Sequence, residues 1–185
     1  MNASTDIELD PAVKSRPDYP PVAIDARASN QVFIAQNDQQ AALMALYEQC
    51  DVGEKTLLTL TAAALPDAMA TTLPNLTLST ALYVGGDEPY LWDIHKQLIE
   101  QGFGAEKIHL MSPESAARRL FCTHCYTIME GVTHTPHVCT GCGRPLLVRD
   151  HFSRLLGAYV GLQINAEDPE DIPAPEALTT LKEAI

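Results

Sequence analysis

The chain has 185 residues, of which 46% are hydrophobic and 19% are charged, and its formal net charge is −12. This length and hydrophobic content exclude a largely disordered chain and allow one core of ordinary size with a small additional module. No apolar run approaches the ~18 residues of a membrane span, and the acidic N-terminus lacks the basic-then-apolar order of a signal peptide. We therefore expect a cytoplasmic protein that does not enter a membrane.

The charge is distributed unevenly along the chain. Residues 118–154 carry five arginines and two acidic residues, a net charge of +3, which leaves 7 basic and 22 acidic residues, a net charge of −15, for the remainder. An arginine-bearing segment on an acidic body favours docking on a partner. Because the acidic body would repel phosphates, we expect no binding to nucleic acid.

Residues 1–30 contain four prolines and no sustained hydrophobic period, which predicts an extended arm. This arm is either a tail without fixed structure or a segment that wraps a partner. A β-α-β unit follows, with a strand at Gln31–Ala35, a helix capped by Asn37 or Asp38, and a strand at Lys55–Thr61. The helix is expected to bury an apolar face made of Ala41, Ala42, Leu43, Ala45 and Leu46, with Cys50 as a buried thiol.

A second β-α-β unit is predicted after a less regular stretch. Residues 62–70 are expected to form a helix interrupted at Pro66, and residues 73–79 an edge strand. The unit itself has a strand at Thr80–Gly86, a helix that begins at Asp87 or Glu88, and a strand at Lys107–Met111. The helix is expected to bury Leu91, Ile94, Leu98 and Ile99. This alternation predicts an α/β domain over residues 31–117, with a small parallel sheet flanked by helices.

Four cysteines form the most specific pattern in the chain. Cys122-Thr-His-Cys125 and Cys139-Thr-Gly-Cys142 are separated by thirteen residues, a spacing that directs four thiolates at one tetrahedral metal ion, as in zinc ribbons and rubredoxins. The alternatives are two disulfides, which would require export, and four free thiols. Zinc and a single iron both suit four thiolates; iron would imply one-electron transfer, and zinc is the usual ion of closed sites.

Residues close to these cysteines in the sequence refine the prediction. Gly141 and Gly143 are expected to adopt the left-handed backbone of such turns, whereas the first pair has Tyr126 in the corresponding place. Three histidines lie nearby in the sequence, namely His124, His134 and His137. Because four cysteines complete a tetrahedral shell, we expect these histidines at the surface or behind the ligands.

The ribbon is predicted to continue into a docking segment, so that the metal module spans residues 118–165. Residues 146–165 form either a strand or helix that packs the ribbon onto the sheet, or a surface that contacts a partner or a partner's cofactor. The candidate contacts for a partner or an anionic group are Arg149, His151 and Arg154. Residues 166–185 form an acidic tail, with one short helix over Pro175–Ile185.

No catalytic constellation is evident in the sequence. Tyr83, His95 and His109 lie in predicted strands or a helix, where a packed or surface role is expected. We therefore predict no catalytic residue in this chain.

The second β-α-β unit resembles the last such unit of the ferredoxin–NADP reductase family. The matching residues are Leu82-Tyr-Val-Gly-Gly-Asp-Glu-Pro-Tyr-Leu91 and Ile108-His-Leu-Met111. In that family the strand ends in Cys-Gly-Pro near the nicotinamide, and here Gly85 and Asp87 stand at the cysteine and the proline. The residues at 36–40, Gln-Asn-Asp-Gln-Gln, replace the glycine-rich turn that approaches a diphosphate. The resemblance implies a reductase-like fold that has lost nucleotide binding.

Most of the chain resembles the small subunit of bacterial dimethylamine monooxygenase, the DmmA type. The motifs that carry this resemblance are Arg119-Leu-Phe-Cys-Thr-His-Cys125, Cys139-Thr-Gly-Cys-Gly-Arg144 and Leu146-Leu-Val-Arg-Asp-His-Phe-Ser-Arg154. The resemblance implies a multisubunit, NADPH-dependent enzyme that oxidatively demethylates dimethylamine. Haem, flavin and an iron–sulfur cluster would be carried by the partner subunits.

Two roles for this chain follow from the resemblance and the cysteines. In the first, the chain is an auxiliary subunit in which Cys122, Cys125, Cys139 and Cys142 hold a structural zinc. In the second, the same cysteines hold iron, and the chain carries single electrons between flavin and haem. A free-standing NAD(P)H reductase is disfavoured because the glycine-rich turn is missing.

Overall fold

The structure, a computed structural model, describes residues 15–71, 76–77, 79–168 and 171–179. Its first sheet has four strands, β1 (Asn30–Ala35), β2 (Glu54–Thr59), β3 (Thr80–Gly85) and β4 (Ile108–Leu110). They lie in the order β2-β1-β3-β4, and all neighbours are parallel. The predicted strands and the parallel sheet are therefore confirmed.

Three helices cover the two faces of this sheet. They are α1 (Ala41–Gln49), α2 (Leu65–Thr71) and α3 (Glu88–Glu100). Successive residues of a strand face opposite sides, so Phe33 and Tyr83 pack with Leu43 of α1, whereas Ile34 and Val84 pack with α2 and α3. None of the helices in the described part of the chain has the length and apolar character needed to cross a membrane.

The second sheet contains the cysteine loops. Its strands are β5 (Arg118–Cys122), β6 (Ile128–Val132), β8 (His137–Val138), β9 (Pro145–Ser153) and β10 (Ala158–Gln163), while β7 (His134–Thr135) pairs with β11 (Glu176–Ala177). The order is β6-β5-β10-β9-β8, and only β5 and β10 are parallel. Its inner face packs Phe152 against Trp92 of α3, with ring centroids 5.3 Å apart. Most of residues 146–165 thus form two strands, joined by a turn, that pack the second sheet onto α3.

A buried carboxylate joins the arm, α3 and the second sheet. Glu88, in the first turn of α3, is 5% exposed. It accepts hydrogen bonds from the Tyr19 hydroxyl at 2.8 Å and from the Tyr159 hydroxyl at 3.2 Å. Trp92 Nε1 donates in turn to the Tyr19 oxygen at 2.9 Å. Burial raises the pKa of Glu88, although both hydroxyls oppose this shift.

Two predictions about α1 are wrong. Its N-cap is Gln40, whose side chain makes no capping bond, and Asn37 instead accepts the backbone N–H of Gln39 at 2.9 Å. Of the predicted apolar face only Leu43, close to Gly85, is fully buried, while Leu46 is half-buried against the same core cluster and the three alanines are exposed. Cys50 is buried as predicted, and its Sγ donates to the carbonyl of Val52 at 3.4 Å.

Two further boundaries differ from the prediction. Ile99 is 40% exposed because it follows Leu98 around the helix, away from the buried stripe. Pro66 does not interrupt a helix; a 3₁₀ turn at Ala62–Ala64 leads into α2, and Pro66 lies in its first turn, where no N–H is needed.

Other predictions fall partly outside the described residues. The edge strand at 73–79 cannot be followed through 72–75 and 78, and Leu76 and Thr77 are not in a strand. The described part of the predicted tail helix is instead extended, since Glu176–Ala177 form β11. Residues 180–185 lie outside the described range, as do residues 1–14 of the predicted arm. Residues 16–25 contain no helix or strand.

The substitution Glu88→Gln tests the buried carboxylate. The folded chain raises the pKa of Glu88. The contribution of Glu88 to the free energy of unfolding is therefore complete at pH values below the usual glutamate pKa, and it is lost as pH rises through the raised pKa. Gln keeps an acceptor oxygen and has no charge, so the free energy of unfolding of E88Q relative to the wild type should increase as pH rises through the range in which Glu88 ionises, as measured by urea unfolding. Glu48→Gln, on the exposed side of α1, should show no such trend; an equal trend in both variants would contradict this account.

Candidate metal centre

The two cysteine loops have the same backbone structure. In the loop at 122–125, the N–H of Tyr126 donates to the carbonyl of Cys122 at 2.9 Å, and the N–H of Cys122 donates to the carbonyl of Thr127 at 3.0 Å. The loop at 139–142 repeats both bonds at the equivalent positions, each at 2.9 Å. These paired turns project the cysteine side chains towards one another from the ends of β5 and β8.

The four sulfurs form a compact cluster. All four Sγ atoms lie within 4.8 Å of one another, with 3.9 Å between Cys122 and Cys142 and 3.5 Å between Cys125 and Cys139. Metal–sulfur bonds of ~2.3 Å in a tetrahedron place sulfurs ~3.8 Å apart, so the cluster has the dimensions of a tetrahedral site. The separations exceed an S–S bond of ~2.05 Å, and all four cysteines are free.

The electrostatics of the thiols differ within the cluster. The Thr127 hydroxyl lies 3.2 Å from Sγ of Cys125, and hydrogen bonding to this hydroxyl, followed by the Thr127 backbone, lowers the pKa of Cys125 to about 6. A backbone hydrogen bond from Arg144 lowers the pKa of Cys142, but burial and the neighbouring thiols raise it to about 11. Four thiolates therefore need a shared cation, which such a cluster could hold.

The backbone of the loops corrects one prediction and supports another. Tyr126 has φ 62° and Gly143 has φ 71°, so the left-handed residue follows the second cysteine in both loops. Gly141 does not have a positive φ, contrary to the prediction. Glycine suits this position for a different reason, since a Cβ there would clash with Oγ1 of Thr127 and lie 3.2 Å from Sγ of Cys125.

The three candidate docking residues lie on β9 and in the turn that follows it. Arg149 and His151 are exposed on β9, and His151 lies 3.2 Å from the Ser15 hydroxyl through Nδ1. Arg154 lies in the turn between β9 and β10, with its guanidinium 5.8 Å from the ring centre of Trp92. Arg149 and His151 are two residues apart and share a face of β9, and the role of the three residues as partner contacts stays a prediction.

The histidines and the proposed packed residues lie apart from the sulfurs. His134 and His137 contact each other, with ring nitrogens 3.4 Å apart, and His124 is exposed. His109 stacks on the buried ring of Tyr83 at 5.1 Å, and burial lowers the pKa of His109. These positions agree with the packed or surface roles expected of them.

Arg118 and Arg119 have interior roles that sequence reasoning did not identify. Arg118 is 5% exposed, donates to Asp150 at 3.1 Å and lies 4.4 Å over the ring of Tyr159. Arg119 binds Asp93 of α3 through two bonds of 2.8 and 2.7 Å, which fixes the start of the ribbon to the first domain. Arg118 is two residues before Leu120 and four before Cys122, and this alternation could have placed it on the inner face of the sheet. No feature of the sequence identifies the residues that Arg118 contacts.

The edge of the first sheet, where the resemblance would place a nucleotide, is filled by side chains of this chain. Oε1 of Gln36 accepts the backbone N–H of Asp87 at 2.8 Å, and Nε2 of Gln36 donates to the Asp87 carboxylate at 3.1 Å. Asp87 also accepts the N–H of Tyr90 at 2.9 Å and so caps α3. A phosphate that approached this edge would therefore meet a carboxylate, which repels it, and a backbone N–H that already donates a hydrogen bond.

Comparison with known proteins places these loops in a family. Residues 119–162 match the family described as "Dimethylamine monooxygenase subunit DmmA-like, C-terminal domain", a range that includes all four cysteines of the cluster. The chain is also 33% identical over 159 residues to the heme-dependent oxidative N-demethylase delta subunit of Ectopseudomonas mendocina (strain ymp), which covers 84% of this chain and 91% of that protein. No solved structure shows significant similarity to the chain. The predicted resemblance is thus confirmed, and the chain belongs to the family of DmmA-like subunits.

Proposed function

We propose that this chain is an auxiliary subunit of a multisubunit oxidative N-demethylase, with a metal ion held by the four cysteines. The observation that carries the proposal is the sulfur cluster, which has tetrahedral dimensions and lies inside the segment that matches the family. The similar protein is named as the delta subunit of a heme-dependent enzyme, so we assign haem to a partner subunit. Flavin, an iron–sulfur cluster and NADPH-dependent turnover of dimethylamine are proposed for the complex from the resemblance of the sequence motifs to the small subunit of dimethylamine monooxygenase.

The ion that best suits the site is zinc. Cys122, Cys125, Cys139 and Cys142 would supply four thiolates, a closed set that leaves no position for substrate. When bound, zinc supplies no redox chemistry and fixes the relative positions of its ligands. A reduced cytoplasm would keep these thiols available, which agrees with four free cysteines.

The role of the metal is to order the second sheet. Cys122 ends β5 and is buried in the core of this sheet, and Cys139 follows β8 and is buried beside it. A shared ion therefore ties two strands that are not neighbours in the sheet. In small zinc modules such a bond contributes ~10–16 kcal/mol of apparent folding free energy, which exceeds the stability of most small domains.

A rubredoxin-like electron carrier is the second candidate. The observation that favours it is the partial exposure of Cys125 and Cys142, because a site that exchanges electrons must lie near the surface. Iron at the same four thiolates would supply a one-electron couple. The rest of the structure, including the anchoring of β5 to α3, is equally consistent with either ion.

Metal identity separates these two candidates directly. This subunit, once separated from its native complex, should be colourless and should contain about one zinc ion per chain, as measured by elemental analysis. A red chain that contains iron and is bleached by dithionite would establish the electron carrier and end the zinc proposal.

The substitution Cys139→Ser should release the metal, because it removes a buried thiolate from the cluster. We expect metal content to fall at least 10-fold, with loss of order in the second sheet and a lower yield of the assembled complex. Cys50→Ser is the matched control, since Cys50 is equally buried but lies in the first domain. Unchanged metal content and normal assembly in C139S would contradict the proposal.

The substitution Thr127→Val tests the hydroxyl beside Cys125. Valine keeps the branched shape but removes the hydrogen bond, so we expect metal affinity about 10-fold lower in a chelator competition. Thr140→Val, at an exposed position of the other loop, should change the affinity little. Equal affinities for T127V and the wild type would show that the hydroxyl does not support the ligand.

A further inference from the structure

The outer face of the second sheet, opposite its core, carries a continuous apolar surface. In the strand register, Ile128 of β6 lies opposite Phe121 of β5, and Phe121 lies opposite Val160 of β10. Two residues further along β10, Leu162 lies opposite Leu147 of β9. Because residues two apart on a strand share a face, these five side chains cover four adjacent strands.

Tyr126 extends this surface onto the first cysteine loop. Its ring stacks on Phe121 with centroids 5.8 Å apart and an interplanar angle of 28°. Tyr126 directly follows Cys125, and its left-handed backbone at φ 62° directs the ring out of the loop. The outer patch therefore consists of Phe121, Tyr126, Ile128, Leu147, Val160 and Leu162.

The outer patch is open to solvent: three of its residues are exposed, namely Tyr126, Ile128 and Leu162, and three are half-buried, namely Phe121, Leu147 and Val160. The core of the second sheet is built from the alternate residues of the same strands, such as Leu120, Met129 and Leu146, and it includes no residue of the patch. Tyr126 is 72% exposed, Ile128 is 45% exposed and Leu162 is 42% exposed. An antiparallel sheet that faces water on one side normally carries polar residues there, so a contiguous apolar face marks an interaction site.

The charges at the border of the patch indicate the kind of partner. Arg149 lies two residues after Leu147 on the same face, and its exposed guanidinium has no ion pair or hydrogen bond within the described residues. Glu130, the acidic residue on this face of β6, is already bound by Arg119. The surface thus has an unpaired guanidinium, whereas its carboxylate on β6 is already paired. A second copy docked through the same face would leave both arginines unpaired, whereas a different protein can supply the carboxylate.

We propose that the outer patch docks onto another subunit of the demethylase, at a surface of apolar side chains bordered by a carboxylate that pairs with Arg149. This inference rests on the proposed function, in which the chain is a subunit of such a complex. It also gives the metal a specific task. The ion orders the loop that presents Tyr126 and holds β5, the central strand of the patch.

In the test, the complex that lacks this subunit is immobilised on a surface, and the binding of the full chain to it is measured. Leu162→Glu places a charge in the patch, and Arg149→Glu reverses the charge at its border. Matched controls are Leu155→Glu in the exposed β9–β10 turn and Arg27→Glu before β1, which change the same residue types at exposed positions outside the patch. We expect the two patch variants to bind at least ~30-fold more weakly than the wild type and the two controls to bind within ~3-fold of it.

Metal content and urea unfolding of each variant show whether the second sheet has kept its fold. R149E changes an exposed side chain, so it carries the test even if L162E fails to fold. Binding of both patch variants at wild-type strength would overturn the docking surface while leaving the subunit role in place. Failure of the wild-type chain to bind the complex at all would overturn the proposed function itself. A wild-type dimer that only the patch variants disrupt would show that a second copy covers the patch, which contradicts the proposal.

Discussion

The structure depends on four sulfur atoms held within 4.8 Å of one another. Thiolates at this distance repel unless a cation lies between them, so the cluster is stable as a metal site and strained as four separate ions. Its ligands come from the ends of β5 and β8, which are not neighbours in the sheet. Strand β5 pairs with its parallel neighbour β10, so fixing β5 at the metal site also orders β10 and the residues on both faces of the sheet.

The second sheet is joined to the first domain by polar groups as well as by the apolar contact of Phe152 with Trp92. Arg119 binds Asp93 of α3, and Glu88 of the same helix accepts hydroxyls from Tyr19 and Tyr159. Buried charges of this kind contribute through their partners, because an unpaired charge in the interior costs several kcal/mol. The arm, α3 and the ribbon are therefore interdependent, and loss of order at the ribbon removes a partner from Glu88.

Sequence reasoning succeeded where the determining contacts are local. The cysteine spacing is a property of two short turns, and the parallel sheet follows from alternating strands and helices, so both were predicted. It failed for groups whose partners lie far along the chain, such as Glu88 and Tyr159, which are 71 residues apart. Residues 146–165 and Arg149 were named as a docking segment, but the part of the outer patch on β5, β6 and the first cysteine loop was not, for a related reason. β5 and β10 are apolar on both faces, and only the register shows which side meets the core.

Hydrogen exchange of the full chain, with and without its metal and in the presence of the partner subunits, tests the central claim most directly. The account predicts that chelation accelerates amide exchange in β5, β6, β9 and β10, leaves β1–β4 protected, and removes the protection that partners give to the outer patch. A metal-free chain that keeps slow exchange in the second sheet and is protected by its partners as fully as the metal-bound chain would contradict it.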